Sequence, residues 1–91
     1  MSDEEEVIED RLYTIPLRRA WIGSIRKRTP RALRILREFI KKHMKTENVL
    51  IESSVNQKLW SRGIEKPPRK IRVRALKYRD DVVRVQLVDG E

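Results

Sequence analysis

Residues 29–44, TPRALRILREFIKKHM, decide the fold more than any other stretch of this sequence. Their apolar residues recur every three or four positions, at Ala32, Leu33, Leu36, Phe39 and Ile40. Basic side chains fall between them, which is the pattern of an amphipathic helix. Thr29 suits the cap position before a helix, and the fixed φ of Pro30 suits its first turn. The stretch therefore predicts a helix over residues 31–44, capped by Thr29, whose apolar face another element must cover.

Strands are predicted on both sides of this helix. Residues 7–17 are rich in β-branched and aromatic side chains, and Pro16 either ends this strand or places it at a sheet edge. Residues 18–29 contain Gly23 and Ser24 but no acidic residue, which indicates a loop. Residues 48–52 predict a short buried strand. Residues 71–75 alternate between apolar and basic, which predicts a half-buried strand with a cationic outer face.

The remaining elements complete the order β-α-β-α-β-β. A short helix is predicted over residues 55–61, because Ser54 and Gln57 form a capping-box pattern and Gly63 suits the position after a helix end. A turn at residues 79–81 leads into a strand over residues 83–87, and the broken alternation at Leu76 and Tyr78 predicts a bulge. The fold class is α+β: one small domain, with a mixed sheet and a C-terminal hairpin packed against one long and one short helix.

The charge is distributed unevenly along the 91 residues. Residues 1–10 hold six carboxylates and no basic residue, so residues 11–91 carry all 22 basic residues against eight acidic ones, a net charge of +14. We therefore divide the chain into a disordered acidic tip, residues 1–6, and a folded domain, residues 7–91. Excess like charge destabilises a compact chain unless a polyanion neutralises it, and nucleic acid is the commonest such partner.

Two basic stretches carry most of this charge and are the predicted RNA-binding residues. The first contains Arg18, Arg19, Arg26, Lys27, Arg28, Arg31 and Arg34. The second contains Lys58, Arg62, Lys66, Arg69, Lys70, Arg72 and Arg74, with Glu65 as its only acidic residue. Phosphates could bind these side chains and the free amides at the start of the long helix. Trp21, in the first stretch, either stacks on an unpaired base or anchors the loop to the core.

Other chemistry finds little support in the sequence. There is no cysteine and a single histidine, His43, so we expect no metal site and no cofactor. The sequence lacks a glycine-rich phosphate loop and a nucleophile motif, so we expect neither an enzyme nor a small-molecule substrate. No apolar run approaches the ~20 residues of a membrane span, and the acidic start differs from a signal peptide, which predicts a soluble, intracellular protein.

Four segments resemble one known family, the large-subunit ribosomal protein thirty-one of the archaeal and eukaryotic type. They are YTIPLRR at residues 13–19, RTPRALR at 28–34, VNQKLWSRGI at 55–64 and KIRVR at 70–74. The short C-terminus is similar to archaeal members. The resemblance implies an α+β structural protein of the large subunit in cytoplasmic ribosomes, where it binds rRNA near the nascent-chain exit tunnel. It also implies neighbouring ribosomal proteins as partners, and nascent-chain or targeting factors at the tunnel exit.

The motif residues of the third segment are Asn56, Trp60 and Gly63, which the resemblance places at or near rRNA. Asn56 and Trp60 are four residues apart and so share one face of the short helix. We interpret Trp60 as a core residue in preference to a platform for RNA, and Gly63 as the helix terminator. The chain departs from the family at Leu50, where members often carry a basic residue, and in its acidic tip.

Two other functions are compatible with these features. The first is a free-standing nucleic-acid-binding regulatory protein that acts off the ribosome. The second is a protein-interaction adaptor, which would use the acidic tip and an exposed edge of the C-terminal hairpin.

The charge excess predicts that salt stabilises the isolated protein. We expect the melting temperature of the full-length chain to rise when sulfate or phosphate is added to a low-salt buffer, because anions screen the repulsion among the basic side chains. Thermal unfolding followed by circular dichroism measures this. Equal melting temperatures across the salt series would contradict the prediction.

Overall fold

The computed structural model describes residues 6–88 and confirms the α+β class and the order of elements. Four strands, β1 (Val7–Pro16), β2 (Asn48–Ile51), β3 (Lys70–Tyr78) and β4 (Val82–Leu87), form one sheet. Two helices, α1 (Arg28–Met44) and α2 (Ser53–Trp60), lie before and after β2 in the chain. The predicted loop between β1 and α1 contains two short 3₁₀ turns, Arg18–Trp21 and Ile25–Lys27.

The strands are arranged in the order β1-β3-β4-β2. The pairs β1–β3 and β3–β4 are antiparallel, whereas β2 and β4 are parallel, so the sheet is mixed as predicted. The C-terminal hairpin β3–β4 therefore lies in the centre of the sheet. The expectation that the hairpin presents an exposed edge is wrong: β1 and β2 are the edge strands, and Pro16 ends the first of them.

The core lies between the two helices and one face of the sheet. The sheet contributes Ile15, Val49, Ile71, Val73, Ala75, Val83 and Val85, and the helices contribute Ala32, Leu36, Ile40, Met44, Val55 and Leu59. All of these side chains are buried. The helical spacing of the α1 residues and the alternation in β3 and β4 agree with the predicted apolar faces. The opposite face of the sheet stays exposed and carries Leu12, Leu50, Arg72, Arg74 and Arg84.

The predicted helix caps are wrong at both N-termini. Helix α1 begins at Arg28, and the residue before it makes no side-chain capping bond. The Thr29 hydroxyl is buried and donates to the Gly63 carbonyl at 2.9 Å, because tertiary packing supplies a distant acceptor. Helix α2 begins at Ser53, one residue before the predicted cap Ser54, since the backbone carbonyl of Glu52 already accepts the first helical amides.

The exposure of Trp60 corrects its interpretation as a core residue. Val55 and Leu59 are the α2 residues that are fully buried, whereas Trp60 is 38% exposed. Asn56 is also exposed, so the two motif residues share the outward side of α2, as their spacing predicted. Helix α2 ends at Trp60 with Ser61 as its cap, and Gly63 lies two residues beyond this cap; its φ is +88° and its amide donates to the Trp60 carbonyl at 2.9 Å, so the glycine turns the chain after the helix.

The bulge lies in β1 and not, as predicted, in β3. The pairing of β1 with β3 shifts between Val7 and Glu9, opposite Tyr78, whereas β3 is continuous from Lys70 to Tyr78. Leu76 breaks the alternation for a different reason: it points to the exposed face of the sheet, in register with Arg84 of β4. In the sequence, an apolar residue on the outer face of the sheet therefore looks the same as a bulge that shifts the apolar–polar alternation.

The burial of Leu36 predicts the effect of shortening this side chain on the stability of the protein. Leu36→Ala should lower the free energy of unfolding by about 2–5 kcal/mol, because Leu36 is fully buried and its truncation leaves a cavity. Leu12→Ala is the matched control: Leu12 is 62% exposed, and we expect a change below about 0.5 kcal/mol. Urea unfolding compares the two variants. Similar losses in both would show that the helix does not pack as described.

Candidate nucleic-acid interface

The two basic stretches, which are far apart in the sequence, meet at one end of the molecule. The Leu17 amide donates to the Arg69 carbonyl at 2.7 Å, and the Thr29 amide donates to the Ile64 carbonyl at 3.0 Å. The Arg28 guanidinium donates to the Glu65 carbonyl at 3.3 Å. These bonds connect the end of β1 and the start of α1 to the segment between α2 and β3. We call this region, residues 17–31 together with residues 58–70, the basic end.

A pocket of about 290 Å³ lies where the two stretches join. It is lined by Trp21, Lys58, Ser61, Arg62, Lys66, Pro67, Pro68 and Arg69. We call it the basic pocket. Half of its lining residues are cationic and none carries a carboxylate, so it suits an anion. Its position depends on the fold, because Trp21 comes from the first basic stretch and the other lining residues come from the second.

Trp21 is held by two arginines at the back of this pocket. The guanidinium carbons of Arg28 and Arg69 lie 4.6 and 4.4 Å from the centroid of its ring. Both distances are within the range of cation–π attraction. The indole is half-buried against the core, which supports the interpretation of Trp21 as a loop anchor. The indole nitrogen Nε1 and Arg28 Nε are both buried, and neither has a hydrogen-bond partner within residues 6–88.

Most of the predicted RNA-binding cations lie exposed on the surface. They are Arg18, Arg19, Arg26, Lys27, Arg34, Arg62, Lys66, Arg69, Lys70, Arg72 and Arg74. Within residues 6–88, ion pairs join Glu6 to Arg79, Glu9 to Arg11 and Lys77, Asp10 to Arg74, Lys41 to Glu47, and Lys77 to Asp81. Three of these five acidic partners, Glu6, Glu9 and Asp10, lie in or beside the N-terminal half of β1, away from the basic end. Lys58 is half-buried in the pocket wall.

Arg31 acts as an internal brace, a role that sequence reasoning missed. Its guanidinium donates to the Ala20 carbonyl at 3.1 Å and also to the Ile22 carbonyl. Gly23, with φ +90°, permits this approach, since a Cβ there would lie 3.3 Å from Arg31 Nη2. A guanidinium held by two carbonyls fixes the 3₁₀ segment that carries Arg18, Arg19 and Trp21. Only the three-dimensional contact distinguishes Arg31 from its exposed neighbours.

The start of α1 offers fewer free amides than predicted. The Arg28 amide donates to the Ile25 carbonyl, and the Thr29 amide is taken by Ile64. Pro30 has no amide hydrogen to donate. The expectation that phosphates use these amides is therefore wrong at all three positions, and the side chains are left as the candidate ligands.

Arg74 differs from the other candidates because an acidic residue faces it in space. Its Nε donates to Asp10 Oδ1 at 2.8 Å, and a second guanidinium nitrogen contacts Asp10 Oδ2. The hydrogen bond from Arg74 lowers the pKa of Asp10, and the same bond raises the pKa of Arg74. The second stretch is poor in acid along the sequence, but β1 brings a carboxylate to it across the sheet. A phosphate at Arg74 would have to compete with Asp10.

The motif of residues 55–64 forms one wall of the basic end. Ser61 and Arg62 line the basic pocket, and the Gly63 carbonyl accepts the bond from Thr29 that joins the motif to α1. Residues 6–88 contain no cluster of three histidine or acidic side chains placed to hold a metal ion. Neither helix in the same range is long and apolar enough to cross a membrane.

The Asp10–Arg74 pair predicts an acid-range effect of Arg74→Gln. Because the folded-state pKa of Asp10 is lowered, the pair stabilises the fold above the ordinary carboxyl pKa of about 3.9, and this contribution is lost as pH falls through the folded-state pKa. Arg74→Gln should raise the pKa of Asp10, and its stability deficit relative to wild type should disappear in acid. Carboxyl NMR titration measures the pKa; Arg72→Gln, on the same face of β3, should leave it unchanged. An unchanged Asp10 pKa in Arg74→Gln would contradict the pairing.

Comparison with known proteins agrees with the resemblance noted in the sequence. Residues 8–82 match the ribosomal protein L31e family. A relative from Methanopyrus kandleri named large ribosomal subunit protein eL31 is 55% identical over 84 residues, covering 92% of this chain and 98% of the relative. Proteins of the same name from Methanocaldococcus jannaschii and Pyrobaculum neutrophilum are 47% and 46% identical, covering 85% and 96% of this chain and 90% and 98% of their own lengths. With most of its length matched and its fold and basic end in place, this chain belongs to the ribosomal protein L31e family.

Proposed function

We propose that this protein is a structural constituent of the large ribosomal subunit that binds rRNA through arginine–phosphate and lysine–phosphate contacts of its basic end. The observation that carries the proposal is the exposed cationic surface where the two basic stretches meet, remote from the acidic partners of β1. The names of the relatives, each a large ribosomal subunit protein, support the assignment to that subunit.

The mechanism is electrostatic clamping of folded RNA. Each arginine that neutralises a phosphate releases a condensed counterion, so binding strengthens with the number of contacts and weakens with salt. Arginine suits this task because its planar fork donates to two phosphate oxygens at once. The basic end presents these forks from a connected frame, since the segment after α2 is hydrogen-bonded both to Leu17, directly after β1, and to the start of α1. Residues 7–91 form the rRNA-binding domain in this proposal, and catalysis has no part in it.

The position of the protein in the subunit is the finer part of the proposal. By family resemblance we place it near the nascent-chain exit tunnel, with neighbouring ribosomal proteins as further partners. Factors that act on the nascent chain at the tunnel exit are the partners we propose for surfaces remote from the rRNA. The exposed edge strand β1 is one such surface. The acidic tip falls in residues 1–5, outside the described residues, apart from Glu6, which pairs with Arg79.

The phosphate clamp predicts that the affinity for rRNA falls steeply with salt concentration, and that substitutions at the basic end weaken this dependence. If six phosphates are contacted, the logarithm of the rRNA binding constant should fall with the logarithm of salt concentration with a slope of about −4 to −5. A variant with Arg18, Arg26 and Arg62 changed to Gln should reduce the magnitude of this slope by about 2 to 3. Filter binding to large-subunit rRNA over a range of salt concentrations measures both values.

The matched control removes the same charge from the other end of α1, with Lys41, Lys42 and Lys45 changed to Gln. We expect this triple variant to change the slope by less than about 1. Gradient sedimentation of cell lysate tests the ribosomal assignment separately. A protein found wholly at the top of the gradient would favour the regulatory protein that acts off the ribosome, and a salt-insensitive association with large subunits would contradict the phosphate clamp.

A further inference from the structure

The basic pocket is larger than one phosphate group requires. Its volume is about 290 Å³. A phosphate has five heavy atoms and would fill part of that space. The remainder adjoins Trp21 and Pro68, which are half-buried and offer some apolar surface, whereas Pro67 is fully buried behind them. The pocket therefore combines a cationic rim with room for a flat, largely apolar group.

The cations of the pocket fall into two types of environment. Arg62 and Lys66 are exposed, so their side chains can move to bind a phosphate without disturbing the core. Arg69 is fixed more firmly: its guanidinium lies 4.4 Å from the Trp21 ring centroid, and its carbonyl accepts the Leu17 amide. A planar group held in this way is oriented before any ligand arrives, which lowers the entropy cost of binding.

Arg69 provides a stacking surface that Trp21 does not. The Trp21 ring is half-buried and already contacts the guanidiniums of Arg28 and Arg69. Arg69 itself is exposed and lines the basic pocket, so its side chain is accessible to a ligand there. Unpaired RNA bases stack on arginine planes as well as on aromatic rings. The indole is then a support beneath the arginine, and the base lies on the arginine.

We propose that the basic pocket binds one unstacked nucleotide of RNA, with its base on the Arg69 guanidinium and its phosphate between Arg62 and Lys66. The inference rests on the proposed RNA-binding function and specifies one site within it. The site selects for a base that is free of its own stack, as in a loop or a bulge. Contacts elsewhere on the basic end would be to backbone phosphates and would accept any RNA of suitable shape.

Tryptophan fluorescence provides a local readout. The chain has two tryptophans, so Trp60→Phe leaves Trp21 at the pocket as the only one. We would titrate this full-length variant with single-stranded hexauridylate, with a fully abasic ribose-phosphate hexamer of equal charge, and with inorganic phosphate. We expect the Trp21 emission to change with hexauridylate, which should bind at least 5-fold more tightly than the abasic hexamer, since one stacked base contributes about 5- to 150-fold in affinity.

Two substitutions separate the base from the phosphate. Arg69→Lys keeps the charge but removes the plane, so it should abolish the preference for hexauridylate and leave the abasic hexamer bound as before. Arg18→Lys, outside the pocket, is its control and should retain the preference. Arg62→Gln is exposed and should weaken both hexamers by more than Lys42→Gln, which removes the same charge from α1.

Each outcome bears on one level of the proposal. Equal affinities for the two hexamers in the parent protein, or an equivalent emission change with inorganic phosphate at similar concentration, would overturn the nucleotide site while the phosphate clamp stands. Equal effects of Arg62→Gln and Lys42→Gln would place the phosphate elsewhere and also overturn the site. Failure to bind any RNA, including large-subunit rRNA, would instead refute the proposed function itself.

Discussion

The hydrogen bonds between the segment after α2 and the start of α1 are the constraint on which the rest of this molecule depends. Thr29 makes two of them, from its amide to Ile64 and from its buried hydroxyl to Gly63. They hold two strongly cationic stretches side by side, although the charges on those stretches repel each other. Neutral backbone carbonyls are suited to this, because they bind amides, hydroxyls and guanidiniums without cancelling the positive charge that the surface presents. The basic pocket lies between the two stretches that these bonds join.

The helices and strands could be predicted largely because their signals are local. The apolar spacing of α1 and the alternation in β3 and β4 can be recognised within short stretches of sequence, and the residues buried in the core confirm both. The errors arose where a distant residue decides the outcome. Thr29 has the side chain of a helix cap, but Gly63, 34 residues away, offers its hydroxyl a buried acceptor. The bulge was assigned to the wrong strand because an apolar residue on an open sheet face cannot be told from a change of register in sequence alone.

The candidate site was predictable in composition but not in geometry. Basic stretches that contain almost no acidic residue identified nearly all the cations that the fold gathers at one end. The sequence could not show that the Arg31 guanidinium donates its hydrogen bonds to backbone carbonyls, or that Asp10 on another strand pairs with Arg74. Both distinctions depend on contacts between residues at least nine positions apart. Trp60 was misplaced for a related reason, since one of two adjacent apolar residues had to face the core and Leu59 does so.

The separation of charge along the molecule has a kinetic consequence. Acidic side chains on β1 are matched by bases near the end of β3, whereas the opposite end of the fold has a large positive excess. A body with charge distributed in this way has a strong electric dipole moment, and the field around a polyanion exerts a torque on it. For the RNA binding proposed above, the molecule would therefore be turned before contact, with the basic end leading and the N-terminal half of β1 trailing. Under that proposal, orientation by the long-range field would reduce the number of unproductive collisions with rRNA and turn the acidic side of the molecule away from it.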